Sequence, residues 1–174
     1  VAAARLQPRA AAGRLLDSRA VQLRPRNWPV VALVVLVIAS AAWRLPYVQG
    51  CLHDDAFISM RYARHLSEGA GLTFNPGERV EGYTNFLWTV LLGALIRLGA
   101  DPVRWAAWAS LVPALGLVVA VYGHGRRYGN LPHPGWALVA PALVAAHPFL
   151  LAESVGGLET TWFVLLAFLG FERQ

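Results

Sequence analysis

Asp54 and Asp55 stand side by side in a chain that holds only 10 acidic residues among 174. Two adjacent carboxylates can divide two tasks: one accepts a proton or binds a cation, while the other caps or orients a helix. As a purely local matter, Asp54 reads as the N-cap of a following helix, with Asp55 adding favourable charge at the positive end of the helix dipole. The two accounts are compatible and remain open at this level. Around the pair, the stretch from Arg44 to Arg104 collects His53, Arg61, Arg64, His65, Glu68, Glu78, Arg79 and Glu81. His53 and His65 read as solvated or capping residues, because no carboxylate or His at helical spacing completes a metal site. Arg61 and Arg79 suit contacts to lipid phosphates or solvated ion pairs. Farther on, Glu159 sits at the mouth of an apolar run, where it can cap a helix, and Trp88, Trp105 and Trp108 read as anchors at a membrane interface.

The elements that would position these residues follow from periodicity. From Asp55 to Glu68, Ile58, Tyr62 and Leu66 recur every four residues while Arg61, Arg64 and Glu68 cluster elsewhere, the pattern of an amphipathic helix. Gly69 and Gly71 end it. Asn75-Pro76-Gly77 marks a turn, and Gly82-Tyr83-Thr84-Asn85 leads into the apolar run Phe86 to Leu98. That run has about 13 residues and includes Arg97, a length expected of interfacial or re-entrant segments rather than spans.

Composition places all of this in a membrane. The chain is 56% hydrophobic and 14% charged, against roughly 25% charged for a soluble domain. All its basic residues are Arg, and six of them precede Asn27, so the net charge of +5 describes mostly a basic leader, residues 1–26. Retention of such a leader on the cytoplasmic face accounts for it without nucleic acid. The lone Cys51 forms no internal disulfide. A first span is expected at 27–45, with a Trp near each end; a cleavable signal is the competing reading, and under either the residues after Arg44 are delivered outside. An external loop at 46–102 follows, then further spans within 103–174, with candidates at Val103 to Tyr122, Gly135 to Ala152 and Leu158 to Phe171. Keeping Arg126 and Arg127 in the cytoplasm requires Phe86 to Leu98 to lie in the interface, and it puts Glu153 and Glu159 on the outer face with Asp54 and Asp55. The expected fold class is all-α, a polytopic transmembrane bundle with amphipathic interfacial helices in the first external loop. Val1 in place of Met and a stop at Gln174 directly after an apolar run predict a fragment, incomplete at its C-terminus.

The run from His53 through Gly69, and the run Gly71-Leu-Thr-Phe-Asn-Pro-Gly-Glu-Arg-Val-Glu-Gly-Tyr-Thr-Asn-Phe-Leu-Trp88, resemble the first external loop of GT-C membrane glycosyltransferases. They resemble a bacterial branch similar to the mycobacterial terminal arabinofuranosyltransferases and, more distantly, the protein mannosyltransferases and the oligosaccharyltransferase catalytic subunit. The resemblance implies a bacterial inner-membrane enzyme with a cytoplasmic N-terminus, taking a polyprenyl-phosphate sugar as donor and a glycan, lipid or protein as acceptor. It implies catalytic roles for Asp54, Asp55 and, from the next external loop, Glu159. A divalent cation, Mg or Mn, would lie on Asp55 and Glu159, and substrate contacts are implied at His53, Arg61, Arg79, Glu81, Tyr83 and Asn85. The chemistry agrees: a carboxylate takes the acceptor proton while cations hold the departing phosphate. Full enzymes of this type carry many more spans, so this portion alone is expected to be inactive. The rival readings are a transporter or flippase of lipid-linked sugars and a non-catalytic membrane module. A transporter would be expected to place ionisable residues or broken helices near the bilayer middle, and Arg104 to His124 encloses no ionisable group but Tyr122.

Overall fold

The computed structural model describes residues 27–173 except positions 49 and 79, so the basic leader and Arg79 lie outside the described residues. Within them the chain is all-α, with seven α-helices and two short 3-10 turns. The helices are α1 (Trp28–Arg44), α2 (Asp54–Ser67), α3 (Phe86–Arg97), α4 (Pro102–Tyr128), α5 (Val139–Ala146), α6 (Pro148–Glu153) and α7 (Thr160–Glu172). Two are long and apolar enough to cross a membrane: α1 extended by its 3-10 turn, Trp28–Tyr47, and α4.

Pro29 opens α1, where its missing N–H costs nothing. Val30, Val31, Val34, Val35 and Ile38 are left exposed along the helix, an arrangement suited to lipid and unsuited to water. Asp101 caps α4 by accepting from the Val103 N–H at 3.0 Å, and Pro102 takes the first helical position. The span expected at Val103 to Tyr122 is longer in the structure, because α4 runs on to Tyr128. Arg126 and Arg127 lie in the last turn, where the helix dipole favours cations.

The stretch Gly135 to Ala152, expected as one span, is also corrected. It comprises a 3-10 turn at Pro134–Leu138, then α5 and α6, separated at His147. His147 has ψ 121; Pro148 disfavours helical backbone in the residue before it and has no N–H to continue the ladder.

The helix α2 starts one residue earlier than expected. Its N-cap is His53, extended at ψ 148, with no side-chain cap bond, and Asp54 is the first helical residue. Both aspartates therefore act on the dipole from inside the first turn. The buried face is also displaced: Tyr62 is buried, but Ile58 and Leu66 are only partly so, and the core contact is made by Ala56, Met60 and Ala63 against Trp88 and Leu92 of α3. Small residues permit the close approach; a Cβ on Gly93 would come within 3.1 Å of the Ala63 carbonyl. As expected, Gly69 ends the helix, at φ +83, with the Ala70 N–H returning to the His65 carbonyl. Asn75-Pro76-Gly77-Glu78 is a tight turn closed by Glu78 N–H to Asn75 carbonyl at 3.1 Å, with Gly77 at φ +86.

Packing defines two ends of the molecule. At one, Trp28 stacks near His133 and Tyr122 packs with Leu33 and Ala137, so the start of α1 meets the end of α4 and the turn after it. At the other, Val48 packs with Ala107, Leu111 and Val155, and Ala106 joins the α2–α3 core. The first part of α4, the end of α1, the α2–α3 hairpin and the turn between α6 and α7 thus share one end.

Candidate functional site

The turn between α6 and α7, Ser154 to Glu159, is pinned from three sides. The His53 N–H donates to the Gly156 carbonyl at 2.9 Å, and the Trp88 indole donates to the Gly157 carbonyl at 3.2 Å. Ser110 Oγ stands 2.9 Å from both the Leu158 and the Ala106 carbonyls, and Thr161 Oγ1 donates to the Ser110 carbonyl at 2.7 Å. Gly157 at φ +79 is required twice over, by its backbone and because a Cβ there would meet Leu52 at 2.3 Å. Trp88, expected as an interface anchor, is buried at 6% exposure and serves as a strut for this turn.

So held, Glu159 faces the start of α3. It occupies the N-cap position of α7 but makes no side-chain cap bond; its Oε2 accepts instead from Asn85 Nδ2 at 2.9 Å. The same Nδ2 lies 2.9 Å from Ser59 Oγ, and Asn85 Oδ1 accepts from Thr89 Oγ1 at 3.1 Å. A carboxylate only accepts, which orients the amide with its NH2 toward Glu159. Ser59 Oγ is also 3.1 Å from Asn85 Oδ1 and 3.4 Å from the Asp55 carbonyl, joining α2 to the same network.

A cavity of about 260 Å³ opens here, lined by Asp55, Ser59, Tyr83, Asn85 and Glu159 among others. Of the residues singled out from sequence, the fold therefore brings together Asp55, Tyr83, Asn85 and Glu159. Asp54 is exposed beside the cavity without lining it. Among the described residues, neither Asp54 nor Asp55 spends its carboxylate on a hydrogen bond or ion pair, so both are free to act outward. Tyr83 also lines an adjoining cleft of about 450 Å³ with Glu81, and its ring meets Tyr62 edge-on at 4.7 Å. Tyr62 in turn donates to the Val80 carbonyl at 2.7 Å and accepts from the Gly82 N–H at 3.0 Å, holding the strand of chain that bears Tyr83.

Other expected site residues stand elsewhere. Arg61 donates to the Phe74 carbonyl at 2.7 Å, lies 4.7 Å over the Phe74 ring and reaches Asn75, so it fastens the Phe74–Asn75 loop to α2. His65 Nδ1 is 2.7 Å from the Thr73 carbonyl and does the same at the helix end. His53 lines a separate cavity of about 300 Å³ with Arg44 and Tyr47. For a cation, Asp55 and Glu159 offer hard oxygen donors in one cavity, and one or two carboxylates completed by substrate phosphate is a usual Mg arrangement. Among the described residues no group of three or more His, Cys, Asp or Glu gathers in one place.

Sequence reasoning missed Ser59, Thr89 and Ser110. Ser59 and Thr89 each follow Asp55 and Asn85 by four residues, one helical turn, which was the available signal. It also missed Arg44, buried at 2% exposure. Its guanidinium donates to Ser154 Oγ at 2.9 Å, to the Ala145 carbonyl at 3.0 Å, to the Ser40 carbonyl at 3.0 Å and to Ser40 Oγ.

No protein-family model matches the chain, and no solved structure matches it. The chain is 32% identical over 159 residues to a terminal beta-(1->2)-arabinofuranosyltransferase of Mycobacterium tuberculosis, a match covering 85% of this chain and 24% of that protein. It is 29% identical over 137 residues to a protein of the same name from Corynebacterium glutamicum, covering 75% of this chain and 20% of that one. The chain thus spans about a quarter or less of the length of the curated relatives it matches. Its homology to membrane glycosyltransferases of the GT-C type, the resemblance carried by the His53 to Trp88 motif, is shown by these relatives.

Proposed function

We propose, from this homology as premise, that the chain forms the donor-and-acceptor end of a cell-envelope glycosyltransferase. The reaction moves a sugar, a pentofuranose on the strength of the relatives' name, from a polyprenyl phosphate to an envelope acceptor on the external face of the bacterial inner membrane. The observation that supports it most is the convergence of Asp55 and Glu159 on one cavity. They come from segments far apart in sequence, at the end of the molecule away from the start of α1. The same two-ended packing supports the expected topology: the start of α1 lies with the Arg126–Arg127 end of α4, and residues 46–102 lie with Glu159 at the other.

In this reading Asp55 takes the proton of the acceptor hydroxyl as its oxygen bonds to the anomeric carbon, and the bond to the phosphate oxygen breaks with its electrons remaining on the leaving phosphate. Asn85, itself braced by Ser59 and Thr89, orients the Glu159 carboxylate. A divalent cation bound by Asp55 and Glu159 would supply positive charge for the leaving phosphate. Tyr83 borders both the cavity and its neighbouring cleft, a position suited to a sugar ring. The interruption between α5 and α6 is a feature that a lipid-linked-sugar transporter would share; here Arg44 takes the freed Ala145 carbonyl, which suits a structural role. The test replaces Asp54 and Asp55 together by Asn in the complete gene product and follows transfer from polyprenyl-phosphoryl arabinofuranose to an arabinan acceptor in membranes. Loss of product at normal protein level is expected; unchanged product would sink the transferase reading.

A further inference from the structure

Glu153 closes α6 at 9% exposure, and nothing in the sugar-transfer reading uses it. Removing a carboxylate from water is costly unless a partner offsets it. Among the described residues the group that approaches it within ion-pair range is the imidazole of His53, whose Nε2 lies 3.4 Å from Glu153 Oε1. That Nε2 is itself buried and makes no hydrogen bond, so Glu153 is the group placed to answer it. The imidazole is also wedged against the turn: a Cβ on Gly156 would fall 2.1 Å from His53 Cδ2. His53 is the N-cap of α2 and binds the Gly156 carbonyl through its own N–H. On the far side of Glu153, Ser154 is tied by Arg44 to the end of α1.

We propose that Glu153 is a positioning residue. Paired with His53, it fixes the first turn of α2 against the turn that carries Glu159, and so sets how Asp55 and Glu159 face each other across the cavity. This rests on the transferase reading, and it reassigns His53 from touching substrate to holding the carboxylates in place.

The experiment measures kcat and donor KM per molecule of complete gene product in membranes supplied with polyprenyl-phosphoryl arabinofuranose and an arabinan acceptor. The proteins compared are Glu153→Gln, His53→Phe, their double variant and Asp55→Asn. Misplacement of about 1 Å can cost on the order of 100-fold, so E153Q and H53F are each expected to lower kcat by roughly 10- to 100-fold with donor KM unchanged. The double variant is expected to be no worse than the poorer single one, because the two residues act as a unit. Wild-type kcat per molecule in E153Q, at whatever protein level, overturns the proposal, as does a raised KM at constant kcat. If neither single variant accumulates, H53Q/E153Q, whose two amides carry no charge, is read by the same criterion. Asp55→Asn separates the two levels. An inactive D55N beside a fully active E153Q removes only the positioning role, full activity in both removes the role of Asp55 as well, and no transfer by the wild-type product removes the transferase reading beneath them.

Discussion

Asn85 spends its amide on Glu159 and Ser59 and its carbonyl oxygen on Thr89, so little of it is left for a sugar. Substituting Asn85→Asp would set an anion against the Glu159 carboxylate, and the expected result is a fall in kcat of roughly 10-fold or more, a misorientation effect. Steady-state kinetics check it, and unchanged kcat would return Asn85 to the substrate-contact role first expected. Between the aspartates, the one lining the cavity should matter more: Asp55→Asn is expected to reduce turnover by about 10²–10⁴-fold, the range for a lost general base. Asp54→Asn should cost much less, and the reverse order would make Asp54 the base. Legibility at this scale was uneven for a physical reason. Asp55 and Glu159 were visible because carboxylates are scarce in an apolar chain and the family resemblance implies acidic residues in the first and second external loops. Arg61, by contrast, has the right chemistry for phosphate but is committed to the Phe74 carbonyl, a contact that depends on how the chain folds back after Gly71 and that no spacing reveals.

At the scale of elements, the α6–α7 turn governs the site. Gly156→Ala drives a methyl into the His53 ring and is expected to destabilise by about 1–3 kcal/mol, as overpacking does. Trp88→Phe removes the indole bond to the Gly157 carbonyl and is expected to cost about 1 kcal/mol. Thermal unfolding in detergent measures both, with transferase activity falling in parallel. Element identity was readable by two signals: α2 from apolar residues recurring at helical spacing, and α3 and the two long helices from continuous apolar runs. Boundaries were less so. The expected span from Gly135 to Ala152 breaks at His147–Pro148 because a single proline outweighs a continuous apolar composition. The end of α4 runs through Gly123 and Gly125 because glycine lowers helix propensity without forbidding the helix.

For the whole molecule, the two-ended packing makes a topological prediction that the chain's single cysteine can report. Cys51 is exposed at the site end. A membrane-impermeant maleimide added to intact spheroplasts is therefore expected to label it, and labelling only after permeabilisation would invert the topology. A chelator test belongs at this scale too, since a cation would join α2 to the α6–α7 turn. EDTA is expected to abolish transfer and Mg or Mn to restore it, with Glu159→Gln raising the concentration needed by about 10-fold, in the range typical of weakened ligation.

Arg44 also has a bearing on the order of assembly. Its partners Ala145 and Ser154 emerge from the ribosome roughly a hundred residues after it, so until then the guanidinium at the end of α1 must be satisfied by water or lipid phosphate. The first helix would therefore sit shallow at first and sink to its final depth only when α5 and α6 arrive. Nascent chains halted near residue 131 and near residue 165 should differ in how far Trp43 is shielded from an aqueous quencher, and equal shielding in the two would show that α1 settles by itself.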